Sequence, residues 1–260
     1  MSDFYRDYNI MYFFKLIAEA FVTKNAVKRQ SMINRSKDYL SLSKNTNLLE
    51  LHKNINGILE TSINKWNAYD YGQSYYYQGF KRLSITGLRN TESRIKEMEL
   101  TSIAKGKNVL EIGSNAGFIS LILANYASSV TAIENNPFLV EISNSCKKFL
   151  NQDNIKFVST KFENYKIKKQ FDLVLSFANH STIDNQISLA LNDYFFKCSK
   201  LLSQNGMIVF ESHPPGFEKP SLENTLKIIS KYFEIILEKK ITKGTKLDKG
   251  RTVVIGKLKH

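Results

Sequence analysis

The stretch Val109-Leu110-Glu111-Ile112-Gly113-Ser114-Asn115-Ala116-Gly117-Phe118 decides the fold of this chain. Three of its first four residues are apolar types typical of a buried strand, and a loop bounded by two glycines follows. Apolar residues at positions 119 and 121–123 then continue as one face of a helix. Gly113, which has no Cβ, allows the chain to turn sharply beside a ligand, and free amides at a helix start attract anionic or polar groups. The stretch therefore predicts a strand, a ligand-binding glycine loop and a helix.

The spacing of the glycines separates this loop from that of the dinucleotide-binding dehydrogenases. Those enzymes use G-x-G-x-x-G, whereas this chain has Glu111-x-Gly113-x-x-x-Gly117. A second acid, Glu134, ends the next apolar run, 130–133, and an acid at this position accepts hydrogen bonds from ribose hydroxyls. The pattern favours a ribose-containing cofactor, and a dehydrogenase with a nicotinamide cofactor is the minor alternative.

With these two motifs the chain resembles the class I S-adenosylmethionine-dependent methyltransferases. Residues 109–124 (VLEIGSNAGFISLILA) are similar to the first motif of that family, and residues 130–137 (VTAIENNP) are similar to the second. The resemblance implies a doubly wound, Rossmann-like α/β fold with seven strands, the last of them antiparallel. It also implies an enzyme that uses S-adenosyl-L-methionine and releases S-adenosyl-L-homocysteine.

The same resemblance assigns residues to the cofactor. It implies that Glu111 orients the loop or the methionine amine and that Glu134 holds the ribose hydroxyls. Lys161 stands where the family often has the acid that binds the adenine amine, so this contact would pass to the backbone near Phe162 or to Glu163. The residues expected around the cofactor are Glu111, Gly113, Ser114, Asn115, Gly117, Phe118, Glu134, Asn135, Phe162, Glu163, Ser176 and Phe177.

Strands and helices alternate from about residue 105 to the end. Apolar runs predict strands at 109–112, 130–133, 155–159, 171–177, 207–210, 234–241 and 251–258, with the last two as an antiparallel pair. Helical spacing predicts helices at 118–126, 137–150, 185–203 and 221–232. We therefore assign residues 105–260 to one catalytic domain.

Residues 1–104 follow a different pattern. Apolar residues at helical spacing, such as Phe14, Ile17 and Phe21, predict helices. An aromatic-rich segment, 66–80, comes between these helices and the catalytic domain, without a proline- or serine-rich linker. We expect residues 1–104 to form a helical cap with an aromatic lid over the substrate or cofactor.

A second, weaker resemblance lies at residues 87–95 (GLRNTESRI), which are similar to a segment upstream of the first motif in some bacterial methyltransferases of small molecules or surface glycans. It implies that Gln78, Arg89, Thr91 and Arg94 face the cofactor or the substrate. The alternative is a simple capped helix, with Thr91 at its N-cap and Arg94 exposed.

Two histidines follow predicted strands at the edge where open α/β sheets bind ligands. His180 comes after the fourth strand and His213 after the fifth. An imidazole with an unperturbed pKa of about 6.5 suits proton transfer near neutral pH, so His180 is the leading candidate base for a hydroxyl acceptor and His213 is the second. The two could also be a base with its partner, or contacts for a phosphate or carboxylate. Their spacing matches no standard metal site, and no metal is expected. The residues expected to contact substrate are Tyr77, Gln78, Arg89, Asn179 and Glu211.

The candidate functions differ in their acceptor. We expect O-methylation of a small polar molecule, such as a sugar, a phosphorylated compound or a precursor of capsule or surface polysaccharide. The net charge of +13 makes RNA an alternative acceptor, but the lysines are scattered and are more typical of a solvated surface. The segment after the fourth strand, 176–182, has neither the Asn/Asp-Pro-Pro-aromatic motif of adenine-N6 enzymes nor the cysteine of cytosine-C5 enzymes. A non-catalytic binding protein with the cofactor fold is the third possibility.

Composition sets the remaining bounds. A chain of 260 residues with 42% hydrophobic residues supports a large core. No apolar run reaches the roughly 18 residues that span a bilayer, and the first residues make a poor signal peptide, so a cytoplasmic location is expected. Cys146 and Cys198 are expected to be buried as small hydrophobic residues. The sequence pattern indicates no oligomeric state.

Overall fold

The structure is a computed structural model that describes residues 10–42, 45–166, 169–181, 187–215, 217–218, 220–241 and 250–259. The helices are α1 (Ile10–Val22), α2 (Ala26–Ser41), α3 (Thr46–Lys65), α4 (Thr91–Glu97), α5 (Leu100–Ala104), α6 (Phe118–Leu123), α7 (Pro137–Leu150), α8 (Leu191–Leu201) and α9 (Leu222–Tyr232). The strands are β1 (Asn108–Ile112), β2 (Ser129–Glu134), β3 (Ile155–Ser159), β4 (Phe171–Phe177), β5 (Leu202–Glu211), β6 (Phe233–Ile241) and β7 (Arg251–Leu258).

All seven strands form one sheet in the order β3-β2-β1-β4-β5-β7-β6. Strands β1 to β5 are parallel, and β7 runs antiparallel between β5 and β6. This confirms the predicted doubly wound sheet and its antiparallel last strand. The register pairs Ile112 with Ser176 and Phe177 with Glu211, so β1, β4 and β5 end side by side.

Two predicted boundaries are wrong by five or more residues. The helix predicted at 185–203 begins only at Leu191; residues 185–186 lie outside the described part of the chain, and residues 187–190 are not helical. The carboxylate of Glu163 accepts hydrogen bonds from the main chain and hydroxyl of Ser188, which holds this segment outside the helix. Strand β5 begins at Leu202 instead of Met207, with an irregular register opposite Phe171.

The predicted helices of the cap are present, and the core runs from them into the sheet. Helix α3 packs on α7, and Ile55 shares one hydrophobic cluster with Leu100 of α5 and Val109 of β1. In α1, by contrast, Phe14 and Phe21 are 57% and 82% exposed. The boundary between residues 104 and 105 stays a prediction, because the core crosses it; residues 1–9 of the cap are outside the described part.

The aromatic segment between α3 and α4 is irregular, with one short 3₁₀ turn at Lys81–Leu83. Tyr76 and Phe80 are buried, and their rings lie 5.6 and 5.8 Å from that of Phe118. Cys146 and Cys198 are buried free thiols, as expected. Among the described helices, none is both long and apolar enough to cross a membrane.

Candidate active site

The glycine loop after β1 uses its two glycines differently. Gly113 and Gly117 have φ angles of +66° and +73°, which favour glycine. A Cβ on Gly117 would lie 2.7 Å from Ser143 Oγ and 2.8 Å from Phe157 Cζ, so this glycine lets the loop pack against α7 and β3. A Cβ on Gly113 would lie 2.8 Å from the side-chain nitrogen of Asn179. Packing by itself thus requires a glycine at position 117, and the expectation that both glycines line the cofactor site stays a prediction.

Glu134 lies where the sequence motif predicted a ribose-binding acid. One carboxylate oxygen accepts the main-chain N–H of Asn115 at 2.8 Å, and the other accepts that of Asn136 at 2.9 Å. The carboxylate of this half-buried residue is thus fixed beside the glycine loop, with half-buried Asn135 directly after it. In the same loop, Ser114 Oγ is buried and has no hydrogen-bond partner among the described residues.

Glu111 is fully enclosed at the end of β1, where its carboxylate accepts a hydrogen bond from Ser120 Oγ of α6. Burial raises the pKa of Glu111 to about 8, because its effect is larger than the lowering effects of the hydrogen bond from Ser120 and the charge of Arg94. The side chain is therefore largely protonated at neutral pH. The hydrogen bond ties β1 to α6 on either side of the glycine loop. The expected role of Glu111 in orienting the loop stays a prediction.

Around the loop, the residues fit a cofactor that contains ribose. A fixed carboxylate at the end of β2 is a suitable acceptor for sugar hydroxyls, and a buried hydroxyl without a described partner is a suitable ligand contact. These are Glu134 and Ser114.

Three residues expected at the cofactor have side chains that are buried among other protein side chains. Phe118 is completely buried against Tyr76 and Phe80, so its ring packs the cap onto α6 instead of facing a ligand. Phe162 is buried with its ring 4.9 Å from that of Tyr194. Ser176 is fully buried and hydrogen-bonds Tyr194 at 2.9 Å.

The side chain of Asn179 holds the loop after β4 in place through hydrogen bonds. Its side-chain amide donates to the main-chain oxygen of Ile112, and its oxygen accepts from Ser176 at 2.9 Å and from Tyr194 at 2.7 Å. All these partners are buried side chains or strand backbone. The structure therefore places Asn179 as a brace, whereas the sequence suggested a substrate contact.

A buried ionic cluster lies at the ends of β4, β5 and β7. Glu211 accepts hydrogen bonds from Arg89, at 2.8 Å, and from Arg94, and it forms a third ion pair with Arg251 at 3.1 Å. Burial alone would raise the pKa of Glu211, but the three guanidinium groups hold it well below its usual range. The hydroxyl of half-buried Tyr77 accepts from Arg89 at 3.2 Å and lies 3.4 Å from Arg251.

The structure excludes one of the two interpretations of residues 87–95, and the other, contact with cofactor or substrate, stays a prediction. The N-cap of α4 is Asn90, whose side chain accepts the N–H of Ser93, and Arg94 is 1% exposed. The capped helix with an exposed Arg94 is therefore wrong. Buried Gln78 forms a β-bridge with Arg89, which brings two of the expected residues together.

Two residues of this edge were missed by sequence reasoning. Arg251 begins β7, and only the pairing of Glu211 with Val253 brings it to the ionic cluster. Glu218 lies in the loop after β5, in a stretch without a recognisable motif. The carboxylate of Glu218 hydrogen-bonds His180 at 2.8 Å and the main-chain N–H of His213 at 2.6 Å.

The structure brings the two candidate histidines together, with ring centroids 4.9 Å apart. His180 is 3% exposed and packs on Phe210, whereas His213 is half-buried, with Nε2 3.2 Å from Ser181 Oγ. Burial and the neighbouring His180 lower the pKa of His213 to about 4. His213 is therefore neutral at physiological pH. In the described part of the chain, no cluster of three His, Cys, Asp or Glu side chains suits a metal ion.

Comparison with known proteins identifies the family to which this chain belongs. Residues 103–248 match a family model described as a methyltransferase domain. The tRNA1(Val) (adenine(37)-N6)-methyltransferase of a Flavobacteriaceae bacterium is 26% identical over 147 residues, 50% of this chain and 63% of that protein. The chain thus spans less than two thirds of that relative's length. The malonyl-[acyl-carrier protein] O-methyltransferase 1 of Ilyobacter polytropus is 31% identical over 110 residues, which are 42% of this chain and 38% of that protein.

A solved structure shares the fold. The N-methyltransferase NodS from Bradyrhizobium japonicum WM9, in complex with S-adenosyl-L-homocysteine, superposes with a TM-score of 0.56 at 16% identity. The superposition covers 80% of this chain and all of that one.

Proposed function

The chain belongs to the class I S-adenosylmethionine-dependent methyltransferases, and we propose that it methylates a hydroxyl group of a small polar acceptor, such as a sugar, a phosphorylated compound or a precursor of surface polysaccharide. The observation that carries the choice of a hydroxyl is His213, a neutral imidazole at the carboxyl end of β5. A hydroxyl must lose its proton when it is methylated, and a positioned base speeds this loss.

S-adenosylmethionine, when bound, supplies the electrophilic methyl group. Glu134 would accept hydrogen bonds from the ribose hydroxyls, since Asn115 and Asn136 hold its carboxylate in place. Ser114 offers a buried hydroxyl in the same loop. These residues bind and orient, and in an in-line displacement orientation supplies much of the acceleration.

His213 would take the proton of the acceptor hydroxyl as the methyl group moves from sulfur to oxygen. One S–C bond breaks and one O–C bond forms, and the positive charge of the sulfonium is replaced by that of the protonated imidazole. The neutral form of His213 at pH 7 is the form that accepts a proton. His180 is less suitable as the base, because its ring is almost completely buried and hydrogen-bonded to Glu218.

The surroundings of His213 favour a polar acceptor. Tyr77 is half-buried, and its hydroxyl lies within hydrogen-bonding reach of Arg89 and Arg251. Arg251 in turn donates to the main-chain oxygen of Ser212, the residue before His213. An acceptor that reaches this edge of the site would therefore meet the hydroxyl of Tyr77, with the charge of the buried guanidinium groups behind it.

Calorimetric titration with S-adenosylhomocysteine tests the cofactor assignment. We expect wild-type protein to bind it and Glu134→Ala to lose most of the affinity, because the ribose contact is removed. Glu141→Ala, which removes an exposed carboxylate from α7, is the matched control and should bind like wild type. Equal affinity of wild type and Glu134→Ala would contradict the assignment, and no binding by folded wild type would favour the non-catalytic alternative.

Turnover with polar acceptors tests the chemistry. In a screen of sugars and sugar phosphates, His213→Ala should lower kcat by about 10²–10⁴-fold on any accepted hydroxyl substrate. Unchanged kcat would contradict the role of His213 as the base.

RNA is the second candidate acceptor, favoured by the net charge of +13 and by the tRNA methyltransferase among the relatives. The segment after β4 reads Phe177-Ala178-Asn179-His180 and lacks the motif of adenine-N6 enzymes. An RNA enzyme should bind RNA with an affinity that falls steeply with salt. Absence of RNA binding at a low salt concentration of about 50 mM would exclude RNA as the acceptor.

A further inference from the structure

Glu218 connects three elements at the edge of the sheet. One carboxylate oxygen lies 2.8 Å from His180 Nε2, in the loop after β4, and 3.2 Å from the hydroxyl of Thr225 in α9. The other oxygen accepts the main-chain N–H of His213, after β5, at 2.6 Å. No other described carboxylate contacts both candidate histidines.

The carboxylate of Glu218 is ionised in this position. Its side chain is only 7% exposed, and burial by itself raises the pKa of a carboxyl group. The hydrogen bond and charge of His180 and the N–H of His213 outweigh burial, so the pKa of Glu218 lies below its ordinary value. A buried carboxylate of this kind is stabilised only while its partners stay in place.

The hydrogen bond to Glu218 decides which nitrogen of His180 carries hydrogen. An ionised carboxylate is an acceptor only, so His180 Nε2 must be the donor. The other nitrogen, Nδ1, is buried without a hydrogen-bond partner among the described residues. His180 therefore serves as a donor to Glu218, which leaves the half-buried His213 as the imidazole able to meet an acceptor.

We propose that Glu218 is a positioning residue of the active site, which holds His213 through its main chain and His180 through its ring, and whose negative charge stabilises His213 when it takes the acceptor's proton. This inference rests on the proposed function of His213. The groups that face His213 are Ser181 and His180 from the loop after β4, Glu218, and Arg251 of β7. Among these groups, the charge of Glu218 favours the protonated imidazole of His213, whereas the charges of His180 and Arg251 oppose it.

The first measurement is made on wild-type protein, by ¹⁵N-detected NMR of the histidine side chains. We expect His180 to carry hydrogen on Nε2 at pH 7. A His180 with hydrogen only on Nδ1 would overturn the proposal, and this result needs no variant.

The second measurement compares histidine titrations in Glu218→Gln, Glu218→Asp and Glu223→Gln. Glu218→Gln removes the charge with little change of shape, and we expect the pKa of His213 to fall by about one unit. Glu218→Asp keeps the charge and should restore most of the wild-type value. Glu223→Gln, which changes an exposed carboxylate of α9, should leave the His213 titration unchanged. An unchanged His213 pKa in folded Glu218→Gln would overturn the proposal.

Kinetics then separate this inference from the proposed function. With an accepted substrate, Glu218→Gln should lower kcat at least 10-fold with little change in KM, since it acts through the base and not through substrate contact. If the NMR shifts appear but His213→Ala retains full kcat, the positioning by Glu218 stands and the assignment of His213 as the base is wrong.

Discussion

Replacement of Gly117 by alanine should destabilise the protein more than replacement of Gly106, although both glycines have positive φ angles of +73° and +70°. A Cβ on Gly106 would meet no atom within 4 Å, whereas a Cβ on Gly117 would lie 2.8 Å from Phe157 Cζ and 2.7 Å from Ser143 Oγ. The pair therefore separates the cost of the backbone conformation from the cost of crowding.

The expected magnitudes follow from these two costs. A non-glycine residue in the left-handed region costs about 1–2 kcal/mol, which applies to both variants. Inserting a methyl group into a packed site costs about 1–3 kcal/mol more, which applies only to Gly117→Ala. The free energy of unfolding should thus fall by about 1–2 kcal/mol in Gly106→Ala and about 2–5 kcal/mol in Gly117→Ala.

Urea unfolding followed by circular dichroism measures the difference. The double variant Gly117→Ala/Phe157→Leu should recover part of the loss relative to the sum of the single variants, because the leucine lacks the atoms that crowd the new methyl group. Equal destabilisation of Gly106→Ala and Gly117→Ala would refute the packing role of Gly117 and restore the simpler view that this glycine serves only the ligand.

Three further predictions concern buried ionisable groups. His213, with a pKa near 4, should stay neutral over most of the accessible range, so kcat measured from pH 5 to pH 8 should not show the halving near pH 6.5 that an ordinary histidine base would give. The pKa of Glu111 is about 8 in the folded protein, against an ordinary value of 4.5, so between these values the folded state keeps a proton that the unfolded chain releases. The free energy of unfolding should therefore fall as the pH rises from 5 to 8. Glu111→Gln should make the urea midpoint less dependent on pH over this range. Glu211→Gln leaves three buried arginines without their carboxylate and should cost about 3–5 kcal/mol in urea unfolding, whereas the exposed Glu223→Gln should cost less than about 0.5 kcal/mol.

The sheet was predictable because its signals are local. Strands 155–159, 171–177 and 251–258 match β3, β4 and β7, since an apolar run bounded by polar residues needs no distant partner to be recognised. The start of α8 was not predictable from such signals. The segment before it is held by Glu163, which precedes Ser188 by 25 residues, and no periodicity in the sequence reports that hydrogen bond.

In the candidate site, too, residues in a local motif were predictable from the sequence, and residues positioned by distant contacts were not. Glu134 was assigned from a short motif, and the structure places its carboxylate at the loop. The burial of Arg94, however, depends on Glu211, which lies 117 residues away and is brought near only by the pairing of β4 with β5. The core position of Phe118 likewise depends on Tyr76 and Phe80, from a segment without regular structure.

The loop that carries His180 is held from two sides, and this has a consequence for the order of events at the site. Asn179 fixes it to the end of β1 through the main-chain oxygen of Ile112, and Glu218 fixes it to the loop after β5. Neither contact involves Glu134. Because protein contacts hold both histidines, we expect the proposed base to be in position before a cofactor arrives, and adding S-adenosylhomocysteine should change the NMR signals of His180 and His213 far less than Glu218→Gln does. Large shifts of both rings on addition of S-adenosylhomocysteine would show instead that the cofactor assembles the site.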